Sequence, residues 1–517
     1  MSRQTINVPL NRVEGDLEIR VEIEDGAVAE AWSSGTMYRG FEKILVGRDA
    51  LDGLVITPRI CGICSTGHLA AASQALDMIA GVAPPPDATR MRNLALMVEQ
   101  NQSDIRHSFL MFTADFVNPV YKDCTLFEEA VRRYEPFKGE TVIEVIRETK
   151  RLLEIIAIIG GQWPHSEYMV PGGIASIPST GDLLQCQLLL KQYRRWYERR
   201  ILGCTLERWL EVQSSADLEA WLEENEAHRE SDLGFYIRFA REIGLDKIGR
   251  GHGNFISYGS FHLPEGTQVQ RSKNQTYLIP AGFARGTQVR KFDQKKVAEH
   301  VAYSWYVDYD GSRHPFDGET HPYATGQEGQ KYSWAKAPRY DDLPAETGPL
   351  AEMIVAKNPL FTDFVSPNGP TVFIRQLARL VRSAELIPVM ETWLAETTGD
   401  GQFYVSPGEI TEGEGFGLVH AARGVLGHWV RIDNGAIEHY QIITPTAWNA
   451  SPRDSNETRG PWEEALIGTK IKDIANPVEL GHVVRSYDAC LVCTVHTVSR
   501  SPERSLGRIT SGAALPW

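Results

Sequence analysis

Arg59-Ile60-Cys61-Gly62-Ile63-Cys64 and Asp488-Ala489-Cys490-Leu491-Val492-Cys493-Thr494-Val495-His496 each hold a C-x-x-C, one near each end of a 517-residue chain. Brought together, they would aim four thiolates at one point, which makes a site for a soft metal. By default such a quartet is a structural zinc site. Zinc ribbons close short local loops, however, whereas almost the whole chain separates these two pairs. A redox C-x-x-C would account for one pair and leave the other unexplained. Thiolates also select nickel, iron and copper(I), so the quartet alone leaves the metal open.

Beyond Cys64, Ser65 and Thr66 are candidate N-caps. Leu69, Ala72, Leu76 and Ile79 form a helical stripe, which Gly81 and Pro84-Pro85-Pro86 end. Cys61 and Cys64 therefore stand at or just before a helix N-terminus, whose positive end favours thiolate over thiol. Further along, Asp87 caps a longer helix to about Phe116, and helical patterns cover Glu140–Ile159, Asp182–Leu210, Leu218–His228, Leu343–Ala356 and Gly369–Glu396. These lengths predict a large central helical bundle.

Strands frame that bundle. Leu17, Ile19, Val21 and Ile23 alternate with Glu18, Arg20, Glu22 and Glu24, and Asp25-Gly26 then turns the chain into Ala27-Val28-Ala29. Glu14 stands at the mouth of this hairpin. A second hairpin joins Trp429–Ile432 to Ala436–Tyr440 across Asp433-Asn434-Gly435. Residues 250 to 345 are rich in Gly, Tyr, Pro and Thr, with one helical pattern near Gln294–Tyr306, and read as a smaller α/β elaboration. The second cysteine pair follows a strand-like Val483-Val484. The fold class is α+β.

The net charge of -14 argues against a nucleic-acid partner. Seven thinly spread cysteines do not make a secreted disulfide scaffold and suit a reducing compartment. No basic-then-apolar leader opens the chain. The most apolar run, Leu152 to Gly161, is interrupted by Glu154 and too short for a bilayer. Cytoplasmic residence, or attachment to the cytoplasmic side of a membrane through partners, is expected.

The motifs resemble those of the nickel–iron hydrogenase large subunits. Arg59 to Cys64 with His68 match the family's first motif, R-x-C-G-x-C followed by a histidine. Asp488 to His496 match its second, D-P-C-x-x-C-x-x-H, except that Ala489 replaces the proline. Arg12 to Gly15, Arg39 to Glu42, Arg423 to Trp429 and Pro445 to Asn449 extend the likeness over nearly the whole chain. The texture around Met37–Glu42 and Cys490–His496 is similar to the cytoplasmic uptake and hydrogen-sensing branch.

The resemblance implies the large-subunit fold and heterolytic cleavage of dihydrogen into hydride and proton. Cys61 and Cys490 would be terminal nickel ligands. Cys64 and Cys493 would bridge nickel to an iron carrying one carbon monoxide and two cyanides. Glu14 corresponds to the family's proton carrier; without the motif, a salt bridge to Arg12 or Arg59 is the plainer reading. Arg423 corresponds to the arginine over the open metal position, facing a cyanide together with Thr446, and Asp488 to the aspartate paired with it. Ala422 stands where a proline usually precedes that arginine, and Ser103, with Asp104 beside it, where a further aspartate is usual. Glu42, the carbonyl of Ile442 and His496 correspond to a magnesium site, which suits a hard cation. His68 would hold a cysteine sulfur or serve the proton path. His165 and His262 carry no assignment, and Cys124, Cys186 and Cys204 read as small buried hydrophobes.

The catalytic unit would then be residues 1–496. Thr497 to Trp517 would be a maturation extension, removed once nickel is inserted, and its presence favours an uptake enzyme over a sensor. The implied partners are an iron–sulfur small subunit, nickel-insertion proteins, a maturation endopeptidase, and further copies in an oligomer of heterodimers. The alternatives are a hydrogen sensor, a non-catalytic relative like the quinone-site subunit of respiratory complex I, and a structural zinc protein.

Overall fold

Four long helices form the centre: Pro86–Arg106, Glu140–Gly160, Thr180–Trp196 and Val372–Glu396. The first packs on the second and fourth, and the third on the second and fourth. The computed structural model describes residues 3–13, 15, 17–269, 275–326 and 328–490. Glu14, Cys493, His496 and the 497–517 extension lie outside the described residues. No helix among the described residues is long and apolar enough to cross a membrane.

The Pro86–Arg106 helix is buried nearly all round although half its side chains are polar. Burial of that kind is tolerable only where the polar groups are paired. Arg92 bonds Asp77 at 2.5 Å, Gln100 donates to the His420 carbonyl at 2.8 Å, and Asp104 is bonded by Arg382 at 2.7 and 2.9 Å. The α-helix does not reach Phe116 as expected. It widens into a π turn over His107–Phe112 and then a 3-10 turn over Thr113–Val117. Asp87 sits inside its first turn, with Pro85 at the N-cap.

The N-terminal hairpin is the core of a three-stranded antiparallel sheet, Gln4–Leu10, Leu17–Glu24 and Ala27–Gly35. Leu17, Ile19, Val21 and Ile23 all face the core, as their alternation predicts. The strand before them escaped sequence reading because Gln4–Leu10 has only one buried side chain.

The second hairpin likewise has a third strand, giving Gly413–Ala421, Gly424–Asp433 and Ala436–Ile443. The Ser65–Ile79 helix lies across its first strand. Glycine makes that approach possible. A Cβ on Gly417 would stand 1.8 Å from the Ala71 carbonyl oxygen, and one on Gly415 2.3 Å from that of Ala75. This contact lays the helix that carries the first cysteine pair onto the sheet that carries Arg423.

Three further expectations are corrected. The stretch from Gln294 is not helical: a single 3-10 turn, Gln294–Lys296, leads into the strand Val297–His300, which pairs with Ala337–Tyr340. No α-helix lies between Asp232–Glu242 and Pro349–Val355 among the described residues, so the elaboration is strand and turn rather than α/β. Its β-branched and aromatic residues pair locally and never present a helical face. Val483 and Val484 lie in a helix, Val478–Ser486, because both are fully buried under flanking helices and packing overrides their strand preference.

Candidate metal centre

Three thiols converge. Cys61, Cys64 and Cys490 are buried and unoxidised, and their sulfurs lie within 4.8 Å of one another. Cys61 Sγ and Cys490 Sγ are 3.6 Å apart, well beyond a disulfide bond of about 2.05 Å. Buried thiolates this close repel one another unless a cation lies between them, and sulfur donors select soft metals. The donor set therefore fits the expected nickel and iron; Cys493, the fourth donor, falls outside the described residues.

Local structure sets each thiol. Cys61 leaves the Thr57–Ile60 turn in an extended conformation, and its sulfur accepts the Ile63 N–H at 3.3 Å. Cys64 is itself the N-cap of the Ser65–Ile79 helix, displacing the expected Ser65 and Thr66. A cysteine committed to a metal is a poor cap. The duty passes to Glu99 of the Pro86–Arg106 helix, which accepts the N–H of Thr66 at 2.9 Å, of Gly67 at 3.1 Å and of the Trp163 indole at 3.2 Å. Burial holds its carboxyl up to about 7 despite these donors. Cys490 follows a turn at Asp488, whose φ is 62°, and donates its N–H to Thr446 Oγ1 at 3.0 Å.

Arg423 is buried within electrostatic reach of this cluster. Its Nε donates to Asp488 Oδ1 at 2.9 Å, and both side chains are almost wholly buried. Burial alone would depress the guanidinium. Asp488 and the thiols of Cys490, Cys64 and Cys61 outweigh it and hold the group well above its ordinary value. Burial likewise pushes the Asp488 carboxyl up, and Arg423, His107 and Arg379 overcome it, so the carboxyl stays below the usual range. His107 Nε2 lies 3.9 Å and Arg379 Nε 4.0 Å from that carboxylate. Arg423 Nη1 and Asp488 Oδ2 make no hydrogen bond among the described residues.

Neither Ser103 nor Asp104 bonds Arg423. Asp104 is taken by Arg382, which also donates to the Ala422 carbonyl at 2.8 Å and to Glu352 Oε1 at 2.8 Å. Arg382 thus fixes from behind the backbone where the family proline is missing. His107, one helical turn beyond Ser103, is what reaches Asp488, carried there by the π turn.

His68 is buried on the first turn above Cys64, and burial lowers its imidazole to about 4, so the ring is neutral. Its Nδ1 meets His428 Nε2 at 3.1 Å. His165 also belongs to this region. Its Nδ1–H donates to the Pro58 carbonyl at 2.9 Å, and its Nε2 lies beside Gly62, between the first two cysteines. Motif spacing gives no signal for it, because the contact joins segments far apart in sequence.

Of the expected magnesium ligands, Glu42 and Ile442 are adjacent. Glu42 Oε1 accepts the Ile442 N–H at 3.0 Å, and Oε2 accepts the Thr320 hydroxyl. Lys336 and Gln441 complete a buried polar cluster with Glu299 nearby. His496 falls outside the described residues.

Comparison with known proteins agrees with this geometry. The nickel-dependent hydrogenase family profile matches residues 39–125 and 232–496. The periplasmic NiFeSe hydrogenase large subunit of Desulfomicrobium baculatum is 33% identical, over 95% of this chain and 94% of its own length. An uptake hydrogenase large subunit of Rhodobacter capsulatus is 26% identical over 95% and 94%. The solved structure of H2-activated NiFeSe hydrogenase from Dm. baculatum superposes with a TM-score of 0.80 at 31% identity, covering 96% of this chain and 100% of that one. The thiol cluster, the buried arginine near it and these full-length likenesses make the chain a large subunit of the nickel-dependent hydrogenase family.

Proposed function

We propose that this chain is the catalytic subunit of an uptake hydrogenase, oxidising dihydrogen and passing electrons to an iron–sulfur small subunit. The observation that carries the reading is the buried thiol cluster of Cys61, Cys64 and Cys490, with the buried Arg423–Asp488 pair within electrostatic reach of it. When bound, the nickel–iron centre supplies the electrophilic site and electron sink at which dihydrogen is split. Cys61, Cys64, Cys490 and Cys493 would hold it, with Cys64 and Cys493 shared by the iron.

The remaining residues hold charge and move protons. Arg423 remains a cation throughout the working pH range, so its role is to polarise substrate and brace the site, not to accept a proton. Asp488 remains an anion and fixes the guanidinium near the sulfurs. Glu14 is the proposed first proton acceptor on the way out. Low exposure of the sulfurs excludes bulk water, which strengthens each of these interactions. Glu42, Ile442 and His496 are proposed to hold magnesium.

The preference for uptake over sensing rests on the Thr497–Trp517 extension, proposed to be cut by a maturation endopeptidase after nickel-insertion proteins load the site. None of the six described cysteines forms a disulfide, which suits the proposed cytoplasmic or cytoplasmic-face location. An oligomer of large–small heterodimers is proposed for the assembled enzyme.

The test is an infrared spectrum of the complex purified from its native host. One carbonyl and two cyanide bands, with nickel and iron present, are expected. A blank spectrum with stoichiometric zinc would replace the reading by a structural metal site. Normal bands with negligible turnover would favour the sensor.

A further inference from the structure

Arg423 lies in the turn between the strands Gly413–Ala421 and Gly424–Asp433. Ala421 pairs with Gly424, so the turn has only two central residues, Ala422 and Arg423. Two-residue hairpin turns favour a positive φ at the first central residue, because that hand of twist matches the flanking strands. Neither Ala422 nor Arg423 adopts a positive φ. A turn of the opposite hand splays its strands, so this one needs holding from outside. On one side it is pinned through Gly424, which takes φ 129° directly after the turn and on which a Cβ would stand 2.4 Å from Thr347 Oγ1.

Arg382 supplies the hold on the other side. Its Nη2 donates to the Ala422 carbonyl at 2.8 Å and to Asp104 Oδ1 at 2.9 Å, its Nε to Asp104 Oδ2 at 2.7 Å, and its Nη1 to Glu352 Oε1 at 2.8 Å. The same Glu352 oxygen lies 2.7 Å from His420 Nδ1. His420 Nε2 accepts the Tyr258 N–H at 3.2 Å, so the ring carries its proton on Nδ1 and donates it to Glu352. His420 stands on the first strand, just ahead of Ala421 and Ala422. The Glu352 carboxylate therefore ties Arg382 back to the strand whose turn it holds. Arg382 and Glu352 are 1% exposed, Asp104 and His420 0%. A planar guanidinium reaches its three partners at once, which a single ammonium cannot do.

We propose that Arg382 is a positioning residue for dihydrogen cleavage: with Glu352 and His420 it holds the Ala422-Arg423 turn so that the Arg423 guanidinium meets Asp488. Arg382 acts through Arg423, since its own bonds go to the turn and to two carboxylates. Proline at the first central position presets φ for a turn of this hand, and Ala421 before it lies in a strand, the extended backbone that proline requires. Ala422→Pro should therefore make the brace redundant. The proposal rests on the reading of Arg423 as the residue that polarises substrate.

The experiment uses the assembled complex carrying Arg382→Lys, which keeps a cation beside Asp104 but loses the fork. Nickel content and the infrared carbonyl band are expected at the parental level. The kcat for hydrogen oxidation should fall roughly 10- to 100-fold with KM unchanged, the scale for a slightly misplaced group whose interaction is made only in the transition state. Amide hydrogen exchange over residues 421–425 should quicken. Adding Ala422→Pro to Arg382→Lys should restore most of the rate and slow the exchange again, which repair of bundle packing alone would not do. Adding Arg382→Lys to Arg423→Lys should lower the rate no further than Arg423→Lys alone, because the two residues act as one unit. Parental kcat in Arg382→Lys, unchanged exchange, a loss that adds in full to that of Arg423→Lys, or no recovery with Ala422→Pro would each overturn the proposal. If Arg382→Lys does not fold or takes up no nickel, Glu352→Gln decides by the same cycle and the same rescue. Arg423→Lys turning over like the parent would sink the reading of Arg423, and the proposal with it. A parent complex without carbonyl bands would sink the nickel–iron reading instead.

Discussion

Asp488→Asn isolates the charge that holds Arg423 near the thiols. Asp488 sits at φ 62°, in the left-handed region that asparagine adopts at least as readily, so the backbone is undisturbed. The amide keeps an acceptor for the Arg423 Nε–H, now 2.9 Å away, and removes only the negative charge. Arg379 at 4.0 Å then faces Arg423 without their shared counter-ion, while His107, 3.9 Å away and held neutral by burial, carries no charge to lose a partner. Breaking a buried pair from one side costs about 3–5 kcal/mol. An unfolding entropy near 2.1 cal/mol/K per residue gives this 517-residue chain about 1.1 kcal/mol/K, so the melting temperature should fall by about 3–5 °C. Asp488→Ala should lose about 1–2 kcal/mol more, since alanine also resists the left-handed conformation. Because the carboxyl is held below its ordinary value of 3.8, its contribution is fully present above that pH and is lost as pH falls through the lower folded value. The difference between parent and Asp488→Asn should therefore be flat from pH 5 to 8. Scanning calorimetry of both complexes measures it. An Asp488→Asn complex as stable as the parent at pH 7, with unchanged turnover, would refute the argument that this charge organises the site.

Three further outcomes are expected. The Glu99 carboxyl is held up to about 7, above its ordinary 4.5, so its stabilising contribution is complete below pH 4.5 and is lost as pH rises through 7; denaturant titrations across that window should show a decline that Glu99→Gln reduces. Gly417→Ala places a Cβ 1.8 Å from the Ala71 carbonyl, forcing the Ser65–Ile79 helix away from the sheet; about 1–3 kcal/mol of stability should be lost, together with nickel uptake, whereas Gly181→Ala, with no atom nearer than 3.6 Å, should be neutral or slightly stabilising by calorimetry. Cys490→Ser should leave the chain folded and lower the nickel content of the purified complex severalfold, read by elemental analysis, because an alcohol is a far harder donor than a thiolate.

The two C-x-x-C pairs were legible from sequence because residue type and spacing carry the signal, whereas Arg423 and Glu42 stood out only through the family resemblance of the motifs around them. The long helices were legible for the same reason, since an apolar stripe repeats every turn. Where burial was complete the signal failed. Val483 and Val484 look like a strand because β-branched residues favour one, and the Pro86–Arg106 helix, legible as a helix, gives no sign in sequence of the π turn that ends it or of the distant partners of its buried polar side chains.

The sequence by itself pointed to the two cysteine pairs as candidate soft-metal donors and to an α+β chain with a helical centre. The tertiary structure decided how those atoms are held. That Glu99 caps the cysteine-bearing helix, that His107 and not Ser103 or Asp104 reaches Asp488, that Arg382 braces Ala422, and that His68 is tied to Tyr440 through His428 are all contacts between residues distant in sequence. No period or spacing encodes such pairings. They exist because buried polar groups must find partners, and only the packed chain shows which partners are within reach.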